Sequence, residues 1–176
     1  MHEYLKRWGE YMDFSNFKSI KDYGFEGYIP VSQLMQNHSI IPHTRGVYMV
    51  LYTTDDSPRF LNTGTGGFFK GKDPNVPIVE LNDNWVNDTK VVYIGSAGGG
   101  KSTSTLNARI KQLVKFGRGK NVGHSGGRLI WQIENNHDLI ICWKELRVDD
   151  PHVVKKHLIK GFKNMYRKKP FANLVN

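Results

Sequence analysis

Residues 90–110, KVVYIGSAGGGKSTSTLNARI, place a strand pattern, a glycine-rich segment and a helix pattern in direct succession. The β-branched and aromatic residues at 91–94 favour a strand. The serines and threonines at 102–105 are residue types that cap helices, and the apolar residues after them recur at helical spacing. The stretch therefore predicts a strand at 91–95, a loop, and a helix at 102–116 whose apolar stripe consists of Leu106, Ile110, Leu113 and Val114.

Residues 95–102 also spell G-x-x-x-x-G-K-S, the pattern of a phosphate-binding loop between a strand and a helix. In that interpretation Lys101 contacts the β and γ oxygens of a nucleotide and Ser102 binds magnesium. Nucleotide hydrolases also need an acidic residue at the end of another strand. The apolar segment LIICW is instead followed by Lys144 and Glu145, and few residues remain for a doubly wound sheet. Nucleotide hydrolysis is therefore the second alternative function.

Two further strands and a second long helix are predicted on either side of this stretch. Residues 43–54, HTRGVYMVLYTT, and residues 138–146, DLIICWKEL, are rich in β-branched and aromatic residues. Residues 150–169 have a helical pattern, with Asp150 as a candidate cap and Pro151 in the first turn. The glycine-rich segment at 117–133 is expected to lead into one more strand. The order strand, strand, helix, strand, strand, helix predicts one mixed α/β domain.

Charge and composition point to an intracellular protein with an anionic partner. Residues 101–176 hold 16 Lys and Arg against 5 Asp and Glu, whereas residues 1–100 hold 9 against 11. A basic second half suits a polyanion, although a solvated lysine-rich surface explains the same charge. A single cysteine, Cys142, excludes an internal disulfide and favours a reducing, cytoplasmic setting. No apolar run approaches the ~20 residues of a membrane span, so no membrane association is expected.

Four short motifs follow one another along the chain in a fixed order. Gly46-Val47-Tyr48 lies on one predicted strand and Tyr93-Ile94-Gly95 ends the next. Leu106 and Arg109 begin the helix that follows, and Pro170 and Asn173 lie near the C-terminus. This ordered set resembles the GIY-YIG nuclease family, and the segments GHSGGRLIW and PFANL resemble a bacterial branch of it.

The resemblance covers residues 43–176 and implies a small, mostly antiparallel central sheet flanked by helices. Residues 1–42 are then an N-terminal helical extension, with helix candidates at 4–12 and 31–37. Residues 55–89 are an insertion between the two motif strands, where the family has a much shorter link. The insertion is expected to be structured, because so long a loose segment is unusual in a domain. The sequence leaves three alternatives for this insertion: it contacts DNA, it contacts a partner, or it contacts only its own domain.

The resemblance also implies roles in cleaving a DNA phosphodiester. Hydrolysis needs a water nucleophile, a group that takes its proton and positive charge on the transition-state oxygens. Tyr48 is expected to orient or deprotonate the water, and Tyr93 to lie beside it. Arg109 is expected to hold the phosphate with its planar guanidinium. Asn173 is expected to be a polar group that positions the site.

Other basic residues are candidates for contacts with the nucleic acid backbone. His124 and Arg128 lie in the glycine-rich segment GHSGGR, where glycines allow close approach to DNA; a polar hairpin turn is the alternative. His124 is included among the candidate catalytic residues and Arg128 among the DNA contacts. The remaining candidates would contact phosphates without reading the base sequence of the DNA. They are Lys101, Lys111, Lys115, Arg118 and Lys120.

One position departs from the family pattern. The family binds one divalent metal, Mg²⁺ or Mn²⁺, through a glutamate three residues before a Leu-Ile pair, and Lys155 occupies that position before Leu158 and Ile159. An ammonium group has no lone pair to bind a metal ion. Three explanations are open: an inactive relative that binds nucleic acid, a variant in which glutamate was replaced, or a lysine whose charge substitutes for the metal.

The leading hypothesis is therefore a GIY-YIG-type endonuclease domain whose cleavage activity is in question. A non-catalytic nucleic-acid-binding module on the same fold is the alternative, with Lys155 as the residue that separates the two. DNA is the expected partner, and RNA is a further candidate because backbone contacts alone do not distinguish them. The sequence contains no signal for an oligomeric interface.

Overall fold

The central feature of the computed structural model, which describes residues 12–174, is one four-stranded antiparallel sheet. The strand order is β1-β4-β2-β3, so that β2 and β4 are central while β1 and β3 are edges. The strands are β1 (Glu26–Pro30), β2 (Gly46–Leu51), β3 (Val91–Ala97) and β4 (Ile140–Glu145). The predicted mixed α/β class is confirmed, and the three strand segments at 43–54, 91–95 and 138–146 each contain a strand.

Five α-helices and three short 3-10 segments surround the sheet in the described part of the chain. The α-helices are α1 (Phe17–Asp22), α2 (Val31–Gln36), α3 (Ile78–Asn84), α4 (Leu106–Gly117) and α5 (Pro151–Tyr166). The 3-10 segments are Phe69–Gly71, Ser125–Gln132 and Asn136–Asp138. The predicted helices at 31–37, 102–116 and 150–169 are confirmed as α2, α4 and α5. The predicted helix at 4–12 lies, except for its last residue, outside the described residues.

The two long helices begin at side-chain caps that the sequence indicated. The Thr105 hydroxyl accepts a hydrogen bond from the Ala108 N–H, so α4 begins at Leu106 rather than at residue 102. The Asp150 carboxylate accepts hydrogen bonds from the N–H groups of the second and third residues of α5. Such caps satisfy N–H groups that have no partner within the helix.

The two faces of the sheet belong to two hydrophobic clusters. Tyr48 and Val50 of β2 lie in a cluster that includes the predicted apolar stripe of α4. Val47, Met49 and Leu51 alternate with them and lie in a cluster with the apolar side of α5. All six residues of β2 are buried, as expected for a central strand covered by helices on both faces. Among the described residues, none of the helices is both long and apolar enough to span a bilayer.

The predicted strand after the glycine-rich segment at 117–133 is wrong. Residues 125–132 form a 3-10 segment, and only a single bridge joins Ile133 to Phe60. The residues from Leu129 to Ile133 are buried without alternation, whereas a strand at a sheet surface buries every second side chain. The apolar run was therefore correctly identified as core, but its conformation was not.

The prediction for residues 1–42 included no strand, yet β1 pairs with β4 at one edge of the sheet. Gly27 lies against the Trp143 indole, and a Cβ there would approach Cη2 to 2.6 Å. Tyr28 has a left-handed φ of 57°, and the pairing is irregular between Gly27 and Ile29. A glycine, a left-handed residue and a terminal proline hide the strand pattern.

Residues 55–89 fold back onto the domain. The buried Gln132 side chain holds this insertion: its Oε1 accepts from the Val76 N–H at 2.9 Å, and its Nε2 donates to the carbonyls of Val76 at 2.9 Å and Leu61 at 3.0 Å. Trp85 contacts Phe171 edge-on with ring centroids 5.1 Å apart. The insertion is thus structured, as expected, and makes extensive contacts with its own domain.

Candidate functional site

A tyrosine and a glycine face each other across β2 and β3. Tyr48 and Gly95 are direct partners in the antiparallel register. A Cβ on Gly95 would overlap with the Tyr48 ring, so the ring lies over the glycine of the neighbouring strand. The Tyr93 ring, two residues earlier on β3, lies 6.0 Å from the Tyr48 ring between centroids. The glycine of the second motif is therefore required by the tyrosine of the first.

His124 completes a buried group of three rings. Its Nε2 lies 3.2 Å from the Tyr48 hydroxyl, and its ring centroid lies 6.0 Å from that of Tyr93. The backbone approaches closely at Gly126, where a Cβ would stand 2.7 Å from the Tyr93 hydroxyl oxygen. The His124 Nδ1 is buried and has no hydrogen-bond partner among the described residues. The structure thus brings together three residues that are far apart in sequence.

Two cations reach this group from the two long helices. Arg109 projects from α4, where its Nη1 donates to Gln112 Oε1 at 2.9 Å. Lys155 projects from α5, and both cations are half-buried. Burial, followed by the charge of Arg109, lowers the pKa of Lys155. The charges of Arg109 and Lys155 both act on His124 as well, so the two cations share one site.

Burial determines the protonation of the three rings. It raises the pKa of the Tyr48 phenol well above its ordinary value, and the neighbouring Tyr93 adds to this shift. It also raises the pKa of Tyr93. Burial and the charge of Arg109 lower the pKa of His124 to about 3. At neutral pH the site therefore contains two protonated phenols and a neutral imidazole, which favours an orienting role for Tyr48 over a role as base.

Asn173 lies beside the site but is engaged with the backbone of β3. Its Oδ1 accepts from the Ile94 N–H at 2.9 Å, and its Nδ2 donates to the Ile94 carbonyl at 2.8 Å. The Ala172 N–H donates to the Val92 carbonyl at 2.9 Å. The asparagine thereby covers the open edge of β3 next to Tyr93. It positions a strand of the site, and its amide is already satisfied.

The other residues that were predicted to contact the nucleic acid backbone do not cluster around Arg109. Lys111 and Lys115 lie roughly 160° and 120° from Arg109 around the α4 axis, at 100° per residue. Their charges instead act on His38. Burial is the larger cause of the lowered pKa of His38, and the charges of Lys111 and Lys115 lower it further. Arg118 donates to the Met35 carbonyl at 3.0 Å. Lys101 is exposed in a turn and Lys120 is exposed in the loop after α4, while Arg128 is half-buried with its Nε unpartnered among the described residues.

The glycine run at 98–100 differs from a phosphate-binding loop. All three glycines have positive φ, and α4 begins four residues after Ser102 instead of at the lysine. The Gly100 N–H donates to the Asp150 carboxylate at 2.8 Å, so an anion of the protein already occupies this donor. The strand before the loop is an antiparallel edge strand. The geometry presents no free helix N-terminus to a nucleotide phosphate.

The residues at the site do not fit a divalent metal. Two phenols, an imidazole, a guanidinium and an ammonium include no carboxylate, and a metal would face two cations. Elsewhere, Glu145 accepts from the Thr44 hydroxyl and Asp150 caps α5. Across residues 12–174, no group of three or more His, Cys, Asp or Glu side chains could hold a metal ion.

Two residues of the site were not singled out from the sequence. Gln112 holds the Arg109 guanidinium, and its position three residues later on α4 is a signal that was available. Gly126 allows the loop to approach the Tyr93 hydroxyl, which no sequence pattern indicates. In comparisons with protein-family models, curated proteins and solved structures, the chain has no match.

Proposed function

We propose that this chain is a DNA-binding domain of GIY-YIG nuclease type that holds one backbone phosphate at the Tyr48, Tyr93, Arg109 and His124 site. The supporting observation is the Tyr48–Gly95 pair. It makes the two tripeptide motifs neighbours across a strand pair and places both tyrosines beside His124. Each tripeptide alone is common in proteins. Here the tyrosine of the first motif packs over the glycine of the second, which gives a physical reason for finding the two motifs together. The domain acts inside the cell, where Cys142 stays reduced.

The two cations provide most of the attraction for a phosphate. Arg109 offers a planar pair of N–H donors to non-bridging oxygens, and Lys155 adds a second positive charge nearby. Without an anion these two charges repel each other, and this repulsion adds to burial in lowering the pKa of Lys155. A bound phosphate relieves this repulsion. The protonated phenol of Tyr93 is a further donor, whereas the fully buried Tyr48 hydroxyl lies against His124 and orients it.

Binding is better supported than cleavage for this chain. A nucleophilic water needs a base, and a histidine with a pKa of about 3 is a weak one at neutral pH. Tyr48 remains protonated, and Lys155 stands where the resemblance implies the metal-binding glutamate. We therefore propose a domain whose metal-dependent hydrolysis is disabled at Lys155 while its phosphate binding is retained.

The test is a comparison of this chain with Lys155→Glu and a matched control, Lys115→Glu. Lys115 is exposed on the side of α4 that faces away from Arg109, and both variants change the net charge equally. Cleavage of plasmid and single-stranded DNA is followed with Mg²⁺, with Mn²⁺ and with EDTA. We expect metal-dependent cleavage only with Lys155→Glu. Cleavage by the original chain would contradict the disabled state, and cleavage by neither variant would remove support for a disabled nuclease site.

A binding assay tests the phosphate site separately. Labelled duplex DNA is titrated with this chain and with Arg109→Ala, in EDTA, with a matched RNA duplex in parallel. We expect the original chain to bind DNA and Arg109→Ala to bind at least about tenfold more weakly, because it loses a charge-assisted contact. If the original chain binds neither nucleic acid, the proposal fails. Binding of RNA alone would replace DNA as the partner.

A further inference from the structure

The exposed side of α5 carries a row of lysines. Lys156, Lys160 and Lys163 are spaced by four and three residues, which puts them on one stripe of the helix, and all three are exposed. We refer to these three residues as the α5 stripe. Over seven residues at 1.5 Å each, the stripe is about 10 Å long, comparable with three base-pair steps of duplex DNA at about 3.4 Å.

No acidic side chain of the surrounding segment neutralises the α5 stripe. Residues 151–176 contain seven Lys and Arg and no Asp or Glu. The ion pairs of the described residues, Lys18–Asp22 and Lys90–Asp55, lie elsewhere. Like charges four residues apart on a helix destabilise it by a few tenths of a kcal/mol. The stripe is thus a concentrated positive surface that suits a polyanion.

The opposite side of α5 decides which polyanion fits. Val154, Leu158 and Phe162 are fully or almost fully buried against the sheet. A helix that binds a membrane surface needs its apolar side for the lipid, and here that side is the protein core. A row of discrete charges along a rigid helix suits a regular chain of phosphates.

The α5 stripe begins next to the phosphate site. Lys156 follows Lys155 directly, and Lys155 lies on the flank of α5 that approaches Arg109. From the proposed function it follows that a bound strand must leave the site in some direction. We propose that the DNA backbone next to the bound phosphate runs along the α5 stripe, and that Lys111 and Lys115 on the far side of α4 do not contact it.

The test compares two triple variants that remove equal charge. Lys156→Gln/Lys160→Gln/Lys163→Gln removes the α5 stripe, and Lys111→Gln/Lys115→Gln/Lys120→Gln removes charge on the α4 side. Affinity for a 30-base-pair duplex is measured over a salt series. The logarithm of the affinity falls linearly with the logarithm of the salt concentration, and losing three phosphate contacts makes this slope less steep by about 2.7. We expect this change, with affinity at least about tenfold weaker, for the α5 variant and less than about threefold weakening for the control.

The outcomes separate this inference from the function on which it rests. If the original chain does not bind DNA, the proposed function and the inference fail together. If it binds and both triple variants weaken binding equally, or the α4 variant more, the inference alone is overturned. Vesicles containing phosphatidylserine form a third arm. Loss of vesicle binding by the α5 variant with unchanged DNA binding would also overturn it.

Discussion

Tyr48 lies at the point where the hydrophobic core and the candidate site meet. Its ring is fully buried over Gly95, while its hydroxyl lies 3.2 Å from His124. Packing and hydrogen bonding thus act on the same side chain. The same burial that raises its pKa keeps the phenol a donor at neutral pH.

The buried His124 predicts a specific dependence of stability on pH. The native pKa is about 3, against about 6.5 for an unfolded chain. Below about pH 6.5 the unfolded state therefore binds a proton that the native state does not. The free energy of unfolding should fall as pH decreases from about 6.5 to 3, by at most about 1.4 kcal/mol per pH unit from this residue.

Urea unfolding at a series of pH values, for this chain and for His124→Gln, measures this contribution. Glutamine can still hydrogen-bond to Tyr48 but does not titrate. The difference in slope between the two proteins isolates His124, because His38, whose pKa is also lowered, is present in both. Identical slopes would mean that the imidazole is not buried in its neutral form.

At the residue scale, the residues that the structure brings together came from motifs that combine backbone and side-chain requirements. Tyr48, Tyr93 and Arg109 came from motifs, and the structure places them together with His124. Asn173 was expected to be a polar group that positions the site, and its amide bonds to the backbone of β3 beside Tyr93. Composition alone suggested Lys111 and Lys115, and composition does not indicate the side of a helix.

At the scale of secondary structure elements, β3 is held by contacts outside the sheet as well as within it. It is an edge strand, and the C-terminal segment covers that edge through Ala172 and Asn173. The strands and long helices were predictable because their apolar residues alternate or recur every three to four positions. Residues 125–132 and β1 were not, because unbroken burial from Leu129 onward in the first and a left-handed tyrosine in the second erase the period.

Asn173→Ala is expected to destabilise the protein by about 2–4 kcal/mol. It removes two hydrogen bonds and leaves the N–H and carbonyl of Ile94 unpaired at a buried strand. Hydrogen exchange of the Ile94 amide should accelerate more than that of Met49, its partner on β2. Asn164→Ala, on the exposed side of α5, is the control and should change neither quantity. An unchanged Ile94 exchange rate would show that the edge is covered by other contacts.

At the scale of the whole molecule, the buried Gln132 side chain makes several of the hydrogen bonds that join the insertion to the domain. Gln132 bonds to the backbone at residues 61 and 76, on both sides of the loop that carries Lys70 and Lys72. Sequence reasoning expected a structured insertion from its length, but no pattern identified a single glutamine as its anchor. A tertiary hydrogen bond of this kind depends on where the two segments meet.

Gln132→Ala should loosen residues 55–89 without unfolding the sheet. Loss of three hydrogen bonds exposes the loop to trypsin, so cleavage after Lys70 or Lys72 should become at least about tenfold faster, as expected for about 1.4 kcal/mol of local stability. Gln33→Ala, at an exposed position of α2, is the control. Mass spectrometry of the fragments identifies the cleaved bonds. Equal cleavage rates in the two variants would contradict the anchoring role.

The pairing of β1 with β4 has a consequence for how the chain folds. Glu26 lies opposite Trp143, so within residues 12–174 the first strand along the chain pairs with the last. During synthesis β1 leaves the ribosome long before its partner has been made. Its backbone groups must remain with water until the chain reaches β4, and closing so long a loop costs entropy before any contact offsets it. Such non-local pairing slows folding, and we expect sheet completion to be the late step in this protein.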